Sequence, residues 1–383
     1  MNNLLSHRGR RTLISGLFLL TAGLVLNGCA EKAEPVNADG YPFFLGTYTE
    51  GRSEGIYRYR LNHDGSLDSL NLAARSTGPS FLAMGPAREI LLAVNEVDVR
   101  GSGTVEAWRI MGDTLAFVNR AQTGGAHPCY VTANADGWVL TANYSGGSTA
   151  LHRLGEDGSL SPLLSTLKHE GSGSHPRQAA PHAHSAYFDP GTENGVISVD
   201  LGSNDLKFSQ INIQKNELEY RSEALLKMAE AAGPRHLAIR AGGKFLYVVN
   251  ELNSTVTVVR REPDSSYRAL RSHSTLPADF EGVNYCADIH LSPDHRFLYV
   301  SNRGHNSIAV FAVSDADGSL RAVAHESVRG DWPRNFAITP DGEFVLVANQ
   351  KSENIVSFKR EANTGKLSYL NSISAPTPVC ILF

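Results

Sequence analysis

Arg235 and Glu251 stand sixteen residues apart on the two arms of a short apolar hairpin. One arm is Gly233-Pro234-Arg235-His236-Leu237-Ala238-Ile239, the turn is Gly242-Gly243, and the other arm is Phe245-Leu246-Tyr247-Val248-Val249-Asn250-Glu251. Related positions elsewhere carry Arg303, Arg334, Asp288, His290 and the pair His182 and His184, with Arg177 just upstream of that pair. Gathered at one opening, the arginines would hold an oxyanion or phosphate, and a histidine or carboxylate would move a proton to or from water. That mixture suits an anionic or carbonyl-bearing small molecule. Each residue also has a plainer use. An arginine at a strand end can be solvated, or simply pair with Glu251 or Asp288, and His290 can be a satisfied core histidine. His175, His182 and His184 would serve as metal ligands, but no carboxylate stands at a clear spacing from them. Substrate contact or proton transfer is therefore the expected role of the pair, and no metal or cofactor is expected. The sequence has no P-loop, HExxH or EF-hand spacing, and Gly171-Ser172-Gly173-Ser174-His175 reads as a loop, not the strand-turn-helix of a nucleophile elbow.

The hairpin recurs along the chain, and the recurrence dictates the fold. Strand-opening positions fall at Pro79, Pro128, Pro181, Pro234, Ala287, Pro333 and Pro378, in steps of 49, 53, 53, 53, 46 and 45 residues. A second column closes the following strand at Asn95, Asn143, Asp200, Asn250, Asn302 and Asn349, with Gly46-Thr47 in the first unit. Asp136-Gly137 and Asp341-Gly342 mark first-hairpin turns. Asp64-Gly65, Asp157-Gly158 and Asp317-Gly318 mark turns from third to fourth strand. Such periodicity predicts an all-β protein, a seven-bladed β-propeller of four-stranded antiparallel blades. The first unit, from Phe43, lacks an opening strand, and Pro378 to Phe383 is an opening strand with nothing after it. Together they predict one blade that closes the ring by pairing N- and C-terminal strands, which protects the sheet edges.

In each blade the first strand starts, and the second ends, at the same rim of the central channel. The Asn/Asp column is expected to cap turns through its side chains. The residue after it varies between blades (Glu96, Tyr144, Leu201, Glu251, Arg303, Gln350), so that is where a site can be built.

Hydrophobic content of 42% and charged content of 19% are those of an ordinary globular protein, and no linker composition interrupts the repeat. Residues 1–28 read as a signal peptide, with Arg8, Arg10 and Arg11 ahead of an apolar run from Leu13 to Leu26 and Leu26-Asn27-Gly28-Cys29 as a lipobox. The run is short for a membrane span. Lipidation of Cys29, a polar tether over residues 29–40 and the propeller over residues 41–383 complete the expected organisation. The rival is an uncleaved anchor with an incidental cysteine. Either exports the propeller and tethers it to a membrane; the lipoprotein reading, which is favoured, holds it there only by its N-terminal lipid, facing the periplasm, with the outer membrane preferred over the inner. Removing three arginines and no acids from 35 basic and 39 acidic residues leaves 32 − 39 = −7, which argues against a nucleic-acid partner. Cys129, Cys286 and Cys380 are an odd set without CxxC spacing, and buried thiols are expected. A monomer is expected.

Gly-Pro-Arg-His at 233–236, Val-Asn-Glu-Leu-Asn-Ser at 249–254 and Ala-Asp-Ile-His-Leu-Ser-Pro-Asp at 287–294 resemble the lactonase family of seven-bladed propellers. That family includes the bacterial propeller-type 6-phosphogluconolactonase and the fungal carboxy-cis,cis-muconate cyclase. Arg177-Gln178 followed by Pro181-His182-Ala183-His184 is similar to its fourth-blade segment, and the resemblance spans Tyr41 to Phe383. It implies a metal-independent lactone hydrolase whose catalytic histidine falls on His182 or His184, its arginines on Arg235 and Arg303, and its glutamate on Glu251. Arg177, Asp288, His290 and Arg334 are expected to bind substrate. The cytosolic sugar-phosphate enzyme has no lipoprotein leader, so a non-phosphorylated aldonolactone is the better expectation here. A non-catalytic envelope scaffold, and lactone formation of the cyclase type, are the alternatives.

Overall fold

The computed structural model describes residues 40–383; the expected signal peptide, Cys29 and all of the tether but Gly40 lie outside the described residues. Among the described residues the chain forms seven four-stranded antiparallel sheets, each following the chain from inner to outer strand except the one that closes the ring. In that blade Pro378–Leu382 is the inner strand and pairs with Tyr41–Thr47 through Phe44↔Leu382, Leu45↔Ile381, Gly46↔Cys380 and Thr47↔Pro378. We number it blade one. Blade two starts at Leu82–Met84, three at Pro128–Ala133, four at Ala183–Asp189, five at Pro234–Ile239, six at Tyr285–Leu291 and seven at Pro333–Ile338.

Burial explains the composition of each strand. The second strands Trp138–Asn143, Gly195–Asp200, Phe245–Asn250 and Phe344–Asn349 are buried at every residue, because both faces pack on neighbouring blades. They are accordingly near-continuous runs of apolar, largely β-branched and aromatic residues. Between blades five and six, Phe245, Tyr247 and Val249 pack with Leu298, Val300 and Phe311. The outer strands, such as Tyr267–Ser274, are mostly exposed and polar. The third-to-fourth turns are built as expected: the Asp64, Asp157 and Asp317 carboxylates accept from the amides of Ser66, Ser159 and Ser319 at 2.9, 2.9 and 3.1 Å.

The Asn/Asp column caps its own turn, as expected, and does more: the Ser203 amide donates to Asp200 Oδ1 at 2.7 Å, and Asn143 and Asn302 donate from Nδ2 to the Ser148 and Ser307 hydroxyls at 3.0 and 3.2 Å. Asn95, Asn143, Asn302 and Asn349 donate from Nδ2 to the carbonyls of Thr77, Thr123, Thr275 and Val328, which lie on the segment arriving from the preceding blade's outer strand. Each amide thus staples one blade to the next, and a buried donor that finds its acceptor this way avoids an unsatisfied polar group. Cys129, Cys286 and Cys380 are buried and free.

Candidate active site

In six of the seven blades, where the inner strand meets the second strand, the ladder carries one extra residue on the inner side. Pro128 pairs with Asn143 but Tyr130 with Ala142; Ala183 pairs with Asp200 but Ser185 with Val199. The same step occurs at Pro234/His236, Cys286/Ile289 and Pro333/Asn335, and in the closing blade where Pro378 meets Thr47. A bulge turns the extra side chain out of the ladder. It presents Cys129, His184, Arg235, Ala287, Arg334 and Val379 as one layer at the channel mouth. The next residues, Tyr130, Ser185, His236, Asp288 and Asn335, form a layer one step deeper.

This register corrects two sequence columns. The residue paired with the Asn/Asp column is Ala183 rather than Pro181 in blade four, and Cys286 rather than Ala287 in blade six. In blade four the long connection from His169 supplies a proline two residues early. His184 therefore shares its place with Arg235, while His182 sits where Gly233 sits in blade five: the Leu201 amide donates to the His182 carbonyl at 3.0 Å as Glu251 donates to Gly233 at 2.7 Å. In blade six the slip moves Asp288 down to the layer of His236.

Glu251 is the centre of the mouth. Its Oε1 accepts from Arg177 Nη1 at 2.6 Å, and its Oε2 lies 2.8 Å from Arg303 Nη2 and 3.2 Å from Arg235 Nε. Arg235 and Arg303 are buried and fixed from behind, Arg235 donating to the Ala287 carbonyl at 2.7 Å and Arg303 to that of Cys286 at 2.8 Å. Burial alone would raise the Glu251 carboxyl, but Arg303, Arg235 and Arg177 override it and hold it at about 2. Burial, with Arg303 and Arg334 alongside, lowers Arg235 to about 10. All three guanidiniums and the carboxylate are thus charged at neutral pH.

Arg177 closes this cluster from the solvent side. It rides on a single 3-10 turn, Pro176–Gln178, that opens with a capping box formed by His175 and Gln178. Its side chain, 39% exposed, also donates to the Tyr144 hydroxyl at 3.0 Å and lies over the Tyr285 ring. The Tyr144 ring stacks on His182 at 4.6 Å and meets the edge of His184 at 5.5 Å. His182 donates from Nδ1 to the Tyr144 carbonyl at 3.0 Å, which fixes its tautomer. His184 is buried, 5.2 Å from the His236 ring; burial and then the charge of Arg235 hold its pKa well below that of a free imidazole. Cys129, 3.7 Å from His184 Nδ1, is no thiolate nucleophile, because burial drives its thiol far up.

Asp288 and His290, expected to bind substrate at the rim, belong to a deeper network. Asp288 accepts from His236 Nδ1 at 2.8 Å, His290 Nε2 at 2.9 Å and Asn335 Nδ2 at 2.6 Å. The Arg235 guanidinium lies on the His236 ring face, its Nη1 3.4 and 3.3 Å from the two ring nitrogens. Burial followed by Arg235 lowers His236 to about 4. Asp288 therefore locks the floor beneath Arg235. Arg334 does reach the mouth but pairs across it with Glu96, 3.8 Å away, and lies over the Tyr48 ring.

Arg177, Arg235, Glu251 and Arg303 are thus brought into one contact, His182 and His184 join it through Tyr144, Asp288 and His290 lie beneath it, and Arg334 lies across from it. Sequence reasoning passed over Tyr144 as a contact, His236 as the ring under Arg235, and Trp332, whose ring faces Arg303 at 5.4 Å. Tyr144 stood in the variable column after Asn143, and that position was the available signal. Among the described residues no group of three or more His, Cys, Asp or Glu side chains is placed to hold a metal ion.

The family described as "Lactonase, 7-bladed beta-propeller" matches residues 42–383. This chain belongs to that lactonase family. A Bacillus subtilis relative named 6-phosphogluconolactonase is 37% identical over 90% of this chain and 98% of its own length. One of the same name from Formosa agariphila is 33% identical over 85% and 94%. Among solved structures, a periplasmic gluconolactonase from Pseudomonas aeruginosa superposes with a TM-score of 0.85 at 35% identity, covering 89% of this chain and 98% of that one. The four-stranded blades and N/C-terminal closure are those expected of a lactonase-family propeller.

Proposed function

We propose that this chain is a lactonase, a carboxylic ester hydrolase that opens the ring of an aldonolactone. The observation that carries the reading is Glu251 shared by three guanidiniums, two of them buried, at the mouth of the channel. The names of the Bacillus and Pseudomonas relatives support it.

The lactone carbonyl oxygen would lie against Arg235 and Arg303, which are fixed before substrate arrives and stabilise the oxyanion as it forms. Glu251, ionised down to about pH 2, is too weak a base to activate water; it orients the arginines. His184, neutral and in the same layer as Arg235, takes the proton as water oxygen bonds to the carbonyl carbon. The tetrahedral centre then collapses, the bond from carbonyl carbon to ring oxygen breaks, and His184 returns the proton to that oxygen. The product is the open hydroxy acid. His182 positions Tyr144. We read the reaction as metal-independent because guanidiniums meet the developing charge. A titration of acid release from purified protein with glucono-δ-lactone tests the activity; turnover no faster than the spontaneous rate refutes it.

We further propose that the protein is a monomeric lipoprotein of the cell envelope, attached through Cys29 and facing the periplasm, so that its substrate is non-phosphorylated. The leader sequence supports this, and the Pseudomonas relative is named as periplasmic. Palmitate labelling that disappears in Cys29→Ala is the expected result; wild-type protein that takes up no label refutes it.

A further inference from the structure

We infer that Tyr48, Glu96 and Arg334 form a hydroxyl-binding subsite for the polyol arm of the substrate, across the mouth from the Glu251 cluster. The inference rests on the lactonase reading. Glu96 occupies in blade two the column position that Glu251 occupies in blade five, and Arg334 occupies in blade seven the bulge of Arg235. The same backbone bond fixes the column in both places, Glu96 donating to the Gly78 carbonyl at 2.9 Å and Glu251 to that of Gly233 at 2.7 Å. Tyr48 holds the column position in blade one, its amide donating to the Thr377 carbonyl at 3.2 Å. Blades seven, one and two are contiguous in the ring and face blades four to six.

The two acid–guanidinium groups differ in how far they are satisfied. Both oxygens of Glu251 are occupied by arginines. Glu96 receives the Tyr48 hydroxyl on Oε2 at 2.9 Å, while Arg334 Nη2 stays 3.8 Å from that oxygen, beyond hydrogen-bond reach. Its Oε1 has no protein hydrogen bond among the described residues. The Glu96 and Arg334 side chains are each only 15% exposed, so few waters serve them. Charge decides the ligand. Three guanidiniums on Glu251 leave positive charge for an oxyanion, whereas one on Glu96 leaves none, and the free carboxylate oxygen repels an anion. A sugar hydroxyl donates to a carboxylate and accepts from a guanidinium at once, and its oxygen would complete the open Glu96–Arg334 pair.

The test compares glucono-δ-lactone with δ-valerolactone, the same ring without hydroxyls, using the purified full chain. In Glu96→Ala the ratio of kcat/KM for the hydroxylated over the bare lactone is expected to fall about tenfold or more, one to two hydrogen bonds' worth, through KM. Tyr48→Phe is expected to shift the ratio the same way by less, and Glu96→Gln to restore part of it. An unchanged ratio in both Glu96→Ala and Tyr48→Phe overturns the subsite. Calorimetric binding of gluconolactam against δ-valerolactam separates the subsite from the reaction. If neither lactone is hydrolysed the lactonase reading fails, yet hydroxyl-dependent lactam binding that is lost in Glu96→Ala still supports the subsite. Lactam affinities that do not differ in the wild type overturn it.

Discussion

Arg303 Nη2 and Glu251 Oε2 meet at 2.8 Å across the junction of blades five and six, and the same oxygen lies 3.2 Å from Arg235 Nε. The carboxylate therefore sets the separation of the two guanidiniums proposed to face the lactone carbonyl. Removing one donor of this kind costs about a hundredfold or more in kcat. Arg235→Ala and Arg303→Ala are each expected to lose that much in steady-state assays. Since Glu251 couples them, the double variant should lose less than the product of the two single effects.

Glu251 also makes stability depend on pH, and its direction follows from its depressed pKa. Folding moves the carboxyl from an ordinary 4.5 to about 2, so its contribution is complete above pH 4.5 and fades as pH falls towards 2. The shift corresponds to on the order of 3 kcal/mol. Glu251→Gln, which leaves buried guanidiniums short of a partner, should lower the urea midpoint at pH 7 by the equivalent of about 3–5 kcal/mol. That gap between wild type and variant is expected to narrow at pH 3; a constant gap would show that the carboxylate's charge is not what stabilises the fold.

The assignment of His184 as base predicts a pH profile. A base works when deprotonated, and burial beside Arg235 keeps His184 deprotonated below the ordinary histidine range. The acid limb of kcat/KM should therefore lie below pH 6.5, and His184→Asn should lose about a hundredfold or more in kcat. A limb centred above pH 6.5 that vanishes in His182→Asn would transfer the role to His182.

Deleting Pro378 to Phe383 should abolish folding instead of trimming a tail. The deletion strips the inner strand from blade one, exposes the Tyr41–Thr47 edge and removes Cys380 and Ile381 from the packing around Phe44 and Phe43. Loss of the cooperative thermal transition, with aggregated or insoluble protein, is the expected outcome.

Much of this architecture is legible in the sequence because it obeys short-range rules. The sixteen-residue separation of Arg235 and Glu251 is one hairpin, and hairpin periodicity survives in any repeat that buries both faces of its second strand. Asp-Gly turns announce themselves by backbone chemistry. The bulges do not. An extra residue in a ladder carries no compositional mark, so Pro181 looked like the partner of Pro234 when Ala183 fills that place, and Asp288 looked like a rim residue when it lies one step down. Contacts between blades were equally hidden. Nothing near Asp288 announces His236 from blade five or Asn335 from blade seven, and the link from Arg177 to Glu251 spans 74 positions.

The extra residue at the head of six of the inner strands has a consequence for how such a protein changes. Because it stands outside the pairing ladder, its side chain answers to the channel and hardly at all to the sheet. Cysteine, histidine, arginine, alanine and valine already occupy equivalent sockets in a single molecule. A propeller of this kind can acquire a new substrate one socket at a time, while the ring that carries the sockets stays shut.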